Sequence, residues 1–241
     1  MDFAFIAPLN PQFERNTQMK NRLVMMSSII SMSLALLATS HPVSAQTPTT
    51  YPDMYVGWKF GNGKADFGAA GKVFNTNVSG ATTQKDDTGS FNSLYWGMRL
   101  NPNFGVELAL AGANDFGSTD RSAAGSVRAK TNVSMFITDA VGYLPVSDNV
   151  TLYGKLGVAF TRTYAESALG GNAALAAGEK SKHDGAKTAA HFSIGASYRF
   201  SSNWDVKLDI DRFSKVGLNS GANMTGTAGI TAVSVGLAYH F

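Results

Sequence analysis

Apolar and polar side chains alternate in block after block once residue 45 is passed. A period of two marks a strand whose two faces meet different surroundings. In residues 54–61, Met54, Val56, Trp58 and Phe60 share one face and Tyr55, Gly57 and Lys59 the other. The same reading sets Leu94, Trp96, Met98 and Leu100 against Tyr95, Gly97 and Arg99. It sets Phe104, Val106, Leu108 and Leu110 against Gly105, Glu107 and Ala109. Leu152, Leu156, Val158 and Phe160 oppose Tyr153, Lys155 and Gly157. Phe192, Ile194, Ala196, Tyr198 and Phe200 oppose His191, Ser193, Ser197 and Arg199. Trp204, Val206, Leu208 and Ile210 oppose Asp205, Lys207, Asp209 and Asp211, and Val233, Val235, Leu237, Tyr239 and Phe241 oppose Ser234, Gly236, Ala238 and His240. An eighth strand over 131–143 fits less cleanly. Its apolar face of Val133, Met135, Ile137, Val141 and Tyr143 also carries Asp139, so either a bulge re-aims that side chain or the register shifts within the strand.

The connections alternate short and long. Residues 101–103, 144–149 and 201–203 are short; 62–90, 113–130, 162–187 and 213–229 are longer and polar. Pro102 and Pro145 both fall in short connections, as expected where every strand is hydrogen-bonded on both sides. An even number of antiparallel strands, with short turns at one end and long loops at the other, predicts an all-β fold. The expected architecture is an eight-stranded antiparallel up-and-down transmembrane β-barrel, its last strand closing on the first.

Alternation alone does not say which face points inward; a lipocalin-like barrel would turn the apolar face in. The polar face carries Lys59, Arg99, Glu107, Lys155, Arg199, Lys207 and Asp209, spaced by small residues. Charges of both signs suit the narrow lumen of eight strands, which side chains fill. Phe104, Tyr143, Tyr198, Phe200, Trp204, Tyr239 and Phe241 gather near the short turns as an interfacial girdle. The apolar face is therefore expected to meet lipid, and both termini to lie in the periplasm.

The chain of 241 residues has 25 Gly, no Cys and only 15 % charged residues. The absence of Cys excludes a disulfide framework and thiolate chemistry. Lys20 and Arg22, then the apolar run 23–39, then Val43-Ser44-Ala45, read as a secretory leader over 19–45. Residues 1–18 read as a mis-assigned start or an extended leader, and 46–241 as the barrel. The 17 Lys and Arg against 15 Asp and Glu beyond residue 45 leave +2, with no basic cluster for nucleic acid.

Together YVGWKFG at 55–61, NPNFGVELAL at 101–110, VGYLPVSDNVTLYGKLG at 141–157 and SIGASYRFSSNWDVKLDIDRFS at 193–214 resemble the transmembrane barrel domain of the outer membrane protein A family. The resemblance spans essentially 53–241 and implies a barrel-only relative, without the peptidoglycan-binding domain of full-length members. It implies a lumen charge cluster in which Glu107 pairs with Lys207. The family's partner-exchange positions fall here at Ala140 and Ser197. The closing residues Ser234, Gly236, Tyr239 and Phe241 resemble the C-terminal signal read by the outer-membrane assembly machinery.

Chemistry is sparse. His191 and Ser193 form a His-x-Ser pair of the kind used by lipid A deacylases, but alternation turns both into the lumen, away from lipid. His183 and His240 stand isolated, so no metal site and no cofactor are expected. Arg162, Lys180, Lys182 and Lys187 are placed to meet lipopolysaccharide phosphates. The reading is a non-enzymatic outer-membrane protein with a structural or adhesion-like role carried by four long loops. Its partners are outer-membrane lipid, lipopolysaccharide and a surface ligand. A narrow charge-plugged ion channel and a lipid A-modifying enzyme are the alternatives.

Overall fold

The computed structural model describes residues 50–66, 82–123, 125–171, 182–217 and 227–241. The expected leader and the segment before it lie outside the described residues. The strands are β1 (Asp53–Asp66), β2 (Thr82–Asp86), β3 (Thr88–Arg99), β4 (Phe104–Ser122), β5 (Gly125–Pro145), β6 (Val150–Gly171), β7 (Lys182–Arg199), β8 (Trp204–Gly217) and β9 (Thr227–His240). β2 and β3 are one strand interrupted at Asp87: β3 pairs with β1 and the first part of β4, and β2 pairs with the far part of β4.

With β2 and β3 counted as one, each strand pairs antiparallel with its chain neighbours. β4 also pairs with β5, and β9 returns to pair with β1, so the ladder of eight wall positions runs round without an edge. The closing seam runs from Tyr55 opposite His240 to Asp66 opposite Gly229. The last residue takes part, since the Phe241 backbone N–H donates to the Met54 carbonyl at 3.0 Å.

The apolar face points outward. Trp58, Leu94, Leu110, Leu156 and Ile194 are all more than half exposed, whereas Lys59, Glu107, Lys155, Lys207 and Asp209 are almost fully buried. A soluble barrel inverts this arrangement. Tyr143, expected in the girdle, is instead inside the barrel at 8 % exposure.

Three further expectations are corrected. β5 runs in unbroken register against β6 from Gly125 to Pro145, with no bulge at Asp139. Val133, Met135, Ile137, Asp139, Val141 and Tyr143 all face the lumen, and Phe136, Ala140, Gly142 and Leu144 face outward. The lumen is apolar where Val133, Met135 and Ile137 enter it, so both faces of that stretch meet apolar surroundings and the alternation fades. The bulges lie elsewhere, between Ala113 and Phe116 in β4 and between Phe213 and Val216 in β8. Each inserts one residue and reverses the facing of the rest of its strand. Asp115 takes a positive φ of 70°, tolerated best by Gly, Asn and Asp. The reversal turns Phe116 and Val216 into the lumen, where both are fully buried.

The expected loop at 113–130 is mostly a hairpin, since β4 reaches Ser122 and β5 begins at Gly125. The other long connections shorten likewise, with β6 reaching Gly171 and β7 starting at Lys182. Beyond the apolar band a strand needs no apolar face, so the pattern stops before the strand does.

Three cross-strand pairs seat large rings inside the narrow lumen. Tyr55 lies opposite Gly97, Gly57 opposite Tyr95, and Tyr153 opposite Gly195. A Cβ on any of these glycines would collide with the tyrosine ring beside it. Each tyrosine thus lies flat over its neighbouring strand, where only glycine leaves room.

Candidate functional site in the barrel lumen

Three layers of side chains fill the described lumen. The central layer is ionic. Lys155 Nζ donates to Glu107 Oε1 at 2.6 Å and lies 3.2 Å from Asp209 Oδ1. Tyr55 donates its hydroxyl hydrogen to Glu107 Oε2 at 2.9 Å. Lys207, the expected partner of Glu107, stands farther off at 3.8 Å. Its ammonium sits instead among the faces of Tyr55, Tyr95 and Tyr153, at 4.1, 5.0 and 5.2 Å from their centroids. Desolvated cation–π contacts of this kind are worth ~2 kcal/mol or more. The rings are those seated by the three glycines.

The layer extends upward through Lys59, which donates to both Asp211 oxygens at 2.8 and 3.0 Å. His191 completes it. Its Nδ1 lies 2.8 and 3.0 Å from the Asp139 oxygens, and its Nε2 lies 3.2 Å from Asp211 Oδ1. The ring thus presents one nitrogen to each of two buried carboxylates. Three lysines (Lys59, Lys155, Lys207) and the His191 ring thus meet four carboxylates (Glu107, Asp139, Asp209, Asp211), the pairing that burial demands. Asp139 reaches His191 across β6, over Gly157, where a Cβ would collide with the Asp139 carboxylate.

A second ionic layer closes the short-turn end. His240 Nδ1 lies 3.0 Å from both Asp53 oxygens, and Nε2 lies 3.0 Å from Asp205 Oδ2. Arg199 Nε donates to Asp205 Oδ1 at 2.8 Å, and its Nη2 lies 3.6 Å from Asp53 Oδ2. Arg99 stays apart at the rim. It donates to the Pro102 carbonyl at 2.6 Å and lies over Tyr143 at 4.5 Å.

The third layer is apolar and lies toward the long connections. Phe91, Phe116, Phe213, Ile230, Val133 and Val216 are all buried, and Phe91 and Phe213 rings sit 6.1 Å apart. Phe213 also stacks on His191 at 4.5 Å, so the apolar layer rests directly on the ionic one.

Of the expected lumen charges, Lys59, Glu107, Lys155, Lys207 and Asp209 meet in the central layer, Arg199 belongs to the second, and Arg99 to neither. Asp53, Asp139, Asp205 and Asp211 are additions to the expected set. A carboxylate at a lumen-facing position was the available signal for each. His240, expected to be isolated, is tied to two carboxylates. Ser193 donates to Asp209 Oδ1 at 3.4 Å, so its hydroxyl is turned to a carboxylate and not to His191. Among the terminal residues, Ser234 and Gly236 face the lumen, and Phe241 is exposed at the end of the outer face. The side chain of His183 and all of Lys180 lie outside the described residues.

Outside the apolar band, Arg162 grips Asp184 through Nε at 3.1 Å and Nη2 at 2.6 Å. The Arg162 hydrogen bonds hold the Asp184 carboxyl below its ordinary pKa.

Several solved structures are similar. Ail, the attachment invasion locus protein of Yersinia pestis, is 14 % identical over 78 % of this chain and 98 % of its own, with a TM-score of 0.44. The outer membrane protein OprG from Pseudomonas aeruginosa is 14 % identical over 79 % of this chain and 96 % of its own, with a TM-score of 0.47. The N-terminal β-barrel domain of Pseudomonas aeruginosa OprF is 12 % identical over 79 % and 98 %, with a TM-score of 0.44. No curated protein matches the sequence. The family model for the outer membrane protein beta-barrel domain matches residues 32–241, which takes in every described strand. With an outward apolar wall and an ion-paired interior, the chain belongs to the outer membrane protein beta-barrel domain family.

Proposed function

We propose that this outer-membrane protein is a non-conducting, non-enzymatic barrel whose role is structural or surface-interacting. The observation that carries the reading is the filled lumen: two ion-paired layers with an apolar layer on top. An ion crossing it would have to displace paired charges and then pass Phe91, Phe116 and Phe213 without water. We place the short turns and both termini in the periplasm and the long connections outside. Ser234, Gly236, Tyr239 and Phe241 then form the signal for the assembly machinery, following a leader over 19–45. The long-connection end, with Arg162, Lys182 and Lys187, would meet lipopolysaccharide or a surface ligand.

Planar-bilayer recording tests the reading. The wild type shows no discrete openings, and neither does Glu107→Ala, because the apolar layer persists. Sustained openings of the wild type would overturn it in favour of the channel. His191→Ala should leave lipid A acylation in cells unchanged; an altered acyl pattern would restore the enzyme reading.

A further inference from the structure

The outer wall is not uniform. A groove of about 670 Å³ crosses it, lined in part by Phe104, Gly142, Gly154, Leu156, Ile194 and Arg212. Its floor is the Gly142–Gly154 pair on β5 and β6, two facing outward positions without side chains. A Cβ on Gly142 would meet nothing within 4 Å. From there the groove runs along one ladder row, from Gly142 through Gly154 and Ile194 to Ile210. Three strand spacings of ~4.8 Å make this about 14 Å long. Strands in such barrels tilt by ~35–45°, so a row climbs as it crosses them. This one starts beside Phe104 at the short-turn end and rises toward the long connections.

The upper end is charged. On the adjacent row, Arg212 on β8 faces Thr231 on β9, which faces Lys64 on β1. All three positions lie on the outward face. Arg212 Nη1 donates to Thr231 Oγ1 at 2.6 Å. Its guanidinium lies over Gly229, where a Cβ would come within 2.6 Å of Nη2. Arg212 lines the groove, and its guanidinium reaches over Gly229 on the long-connection side of Thr231, the snorkelling expected at a membrane boundary. Lys64 is exposed, 3.6 Å from Asp87. Two cations flank a hydroxyl above an apolar trough, with Asp87 beside Lys64 and Asp66 opposite Gly229, so an acylated lipid with an anionic head fits by taking the place of these carboxylates.

The geometry points to a lipid site on the barrel wall: the Gly142–Gly154 groove takes an acyl chain of lipid A, and Arg212 with Lys64 holds its phosphate. The choice of lipid A over a phospholipid rests on the orientation given under Proposed function, which puts Arg212 at the outer leaflet.

Native mass spectrometry of the folded protein in detergent, with purified lipid A added, tests the site. The wild type retains one lipid A. Gly142→Leu, which fills the trough with a side chain that has room, binds at least tenfold more weakly, as does Arg212→Gln. Dephosphorylated lipid A binds the wild type more weakly but distinguishes the wild type from Arg212→Gln no longer. Heat-dependent migration on SDS gels verifies that each variant is folded. Equal retention by wild type and both variants overturns the site, leaving only annular lipid. Displacement of lipid A by an equal concentration of phosphatidylglycerol overturns lipid A as its occupant. Impermeant labelling of Lys64→Cys on intact cells checks the orientation separately: binding without labelling overturns the outer-leaflet assignment while leaving the groove intact.

Discussion

The lumen contains the same device twice, in two settings. In each, an imidazole bridges two aspartates through both ring nitrogens and a second cation shares at least one of the carboxylates. Deep inside, His191 bridges Asp139 and Asp211, and the second cation is Lys59. At the short-turn end, His240 bridges Asp53 and Asp205, and the second cation is Arg199. The deep version is dry and roofed by Phe213, with Asp211 fully buried. The end version is wetter, the Arg199 side chain being 14 % exposed. Inside, Lys59 spends its charge on Asp211 at short range, with Asp209 at 3.6 Å. At the end, the planar guanidinium spans both aspartates and partly duplicates what His240 does. The lesson is redundancy: the deep bridge has one shared carboxylate on which two cations depend, and the end bridge has two cations serving the same pair of carboxylates.

Removing the shared carboxylate should break the comparison most severely. Asp211→Ala leaves Lys59 and His191 short of an anion in a dry interior, a loss of ~3–5 kcal/mol, measured by urea unfolding in micelles. Gly157→Ala comes next. It keeps every charge, but the new Cβ meets the Thr138 carbonyl as well as the Asp139 carboxylate, so it strains the β5–β6 pairing and parts Asp139 from His191, at an expected cost of ~1–3 kcal/mol for the buried group left unsatisfied with the backbone strain added. His240→Ala should cost ~0.5–1.5 kcal/mol, because Arg199 still holds Asp205 and Asp53. If His240→Ala proves as damaging as Asp211→Ala, the redundancy argument fails. The smallest effect is at the exposed pair. Arg162→Ala should leave stability unchanged within error, while NMR titration shows the Asp184 pKa rising toward its ordinary value.

How much of this was legible beforehand depended on contrast. Where one face of a strand meets lipid and the other meets ions, as at Met54–Phe60 or Trp204–Ile210, a period of two announces the strand and its facing. Where the lumen itself is apolar, as around Val133, Met135 and Ile137, the contrast vanishes and the strand reads inside out. Where the buried face is itself polar, as at Ser118 and Asp120 in β4, and the other face carries Thr119 and Arg121, the strand reads as loop. The Asn114-Asp115 dipeptide was a visible cue for irregular backbone, whereas nothing at Ser214 foretold the bulge in β8. The ionic layers were half legible: alternation picks the charges that enter the lumen, but pairing depends on which rows meet across the barrel. That brought Lys155 to 2.6 Å from Glu107 while the expected Lys207 pairs at 3.8 Å, and it hid the reach of Asp139 over Gly157.

The tyrosine–glycine pairs also guard the register. Sliding a strand by one residue exposes every buried side chain, and alternation alone forbids it. Sliding by two keeps each face correct, so hydrophobicity is blind to the error. The reciprocal pairs between β1 and β3 are not blind. Moved two residues one way, Tyr55 would meet Tyr95; moved the other way, it would meet Arg99 and leave Gly57 opposite Gly97. Only the native register gives each ring a vacancy to lie in. A closed barrel is defined by the sum of its staggers, the shear, which fixes its radius and tilt together. Single glycines beside single tyrosines thus act as gauge marks, local fittings that hold a global dimension of the cylinder.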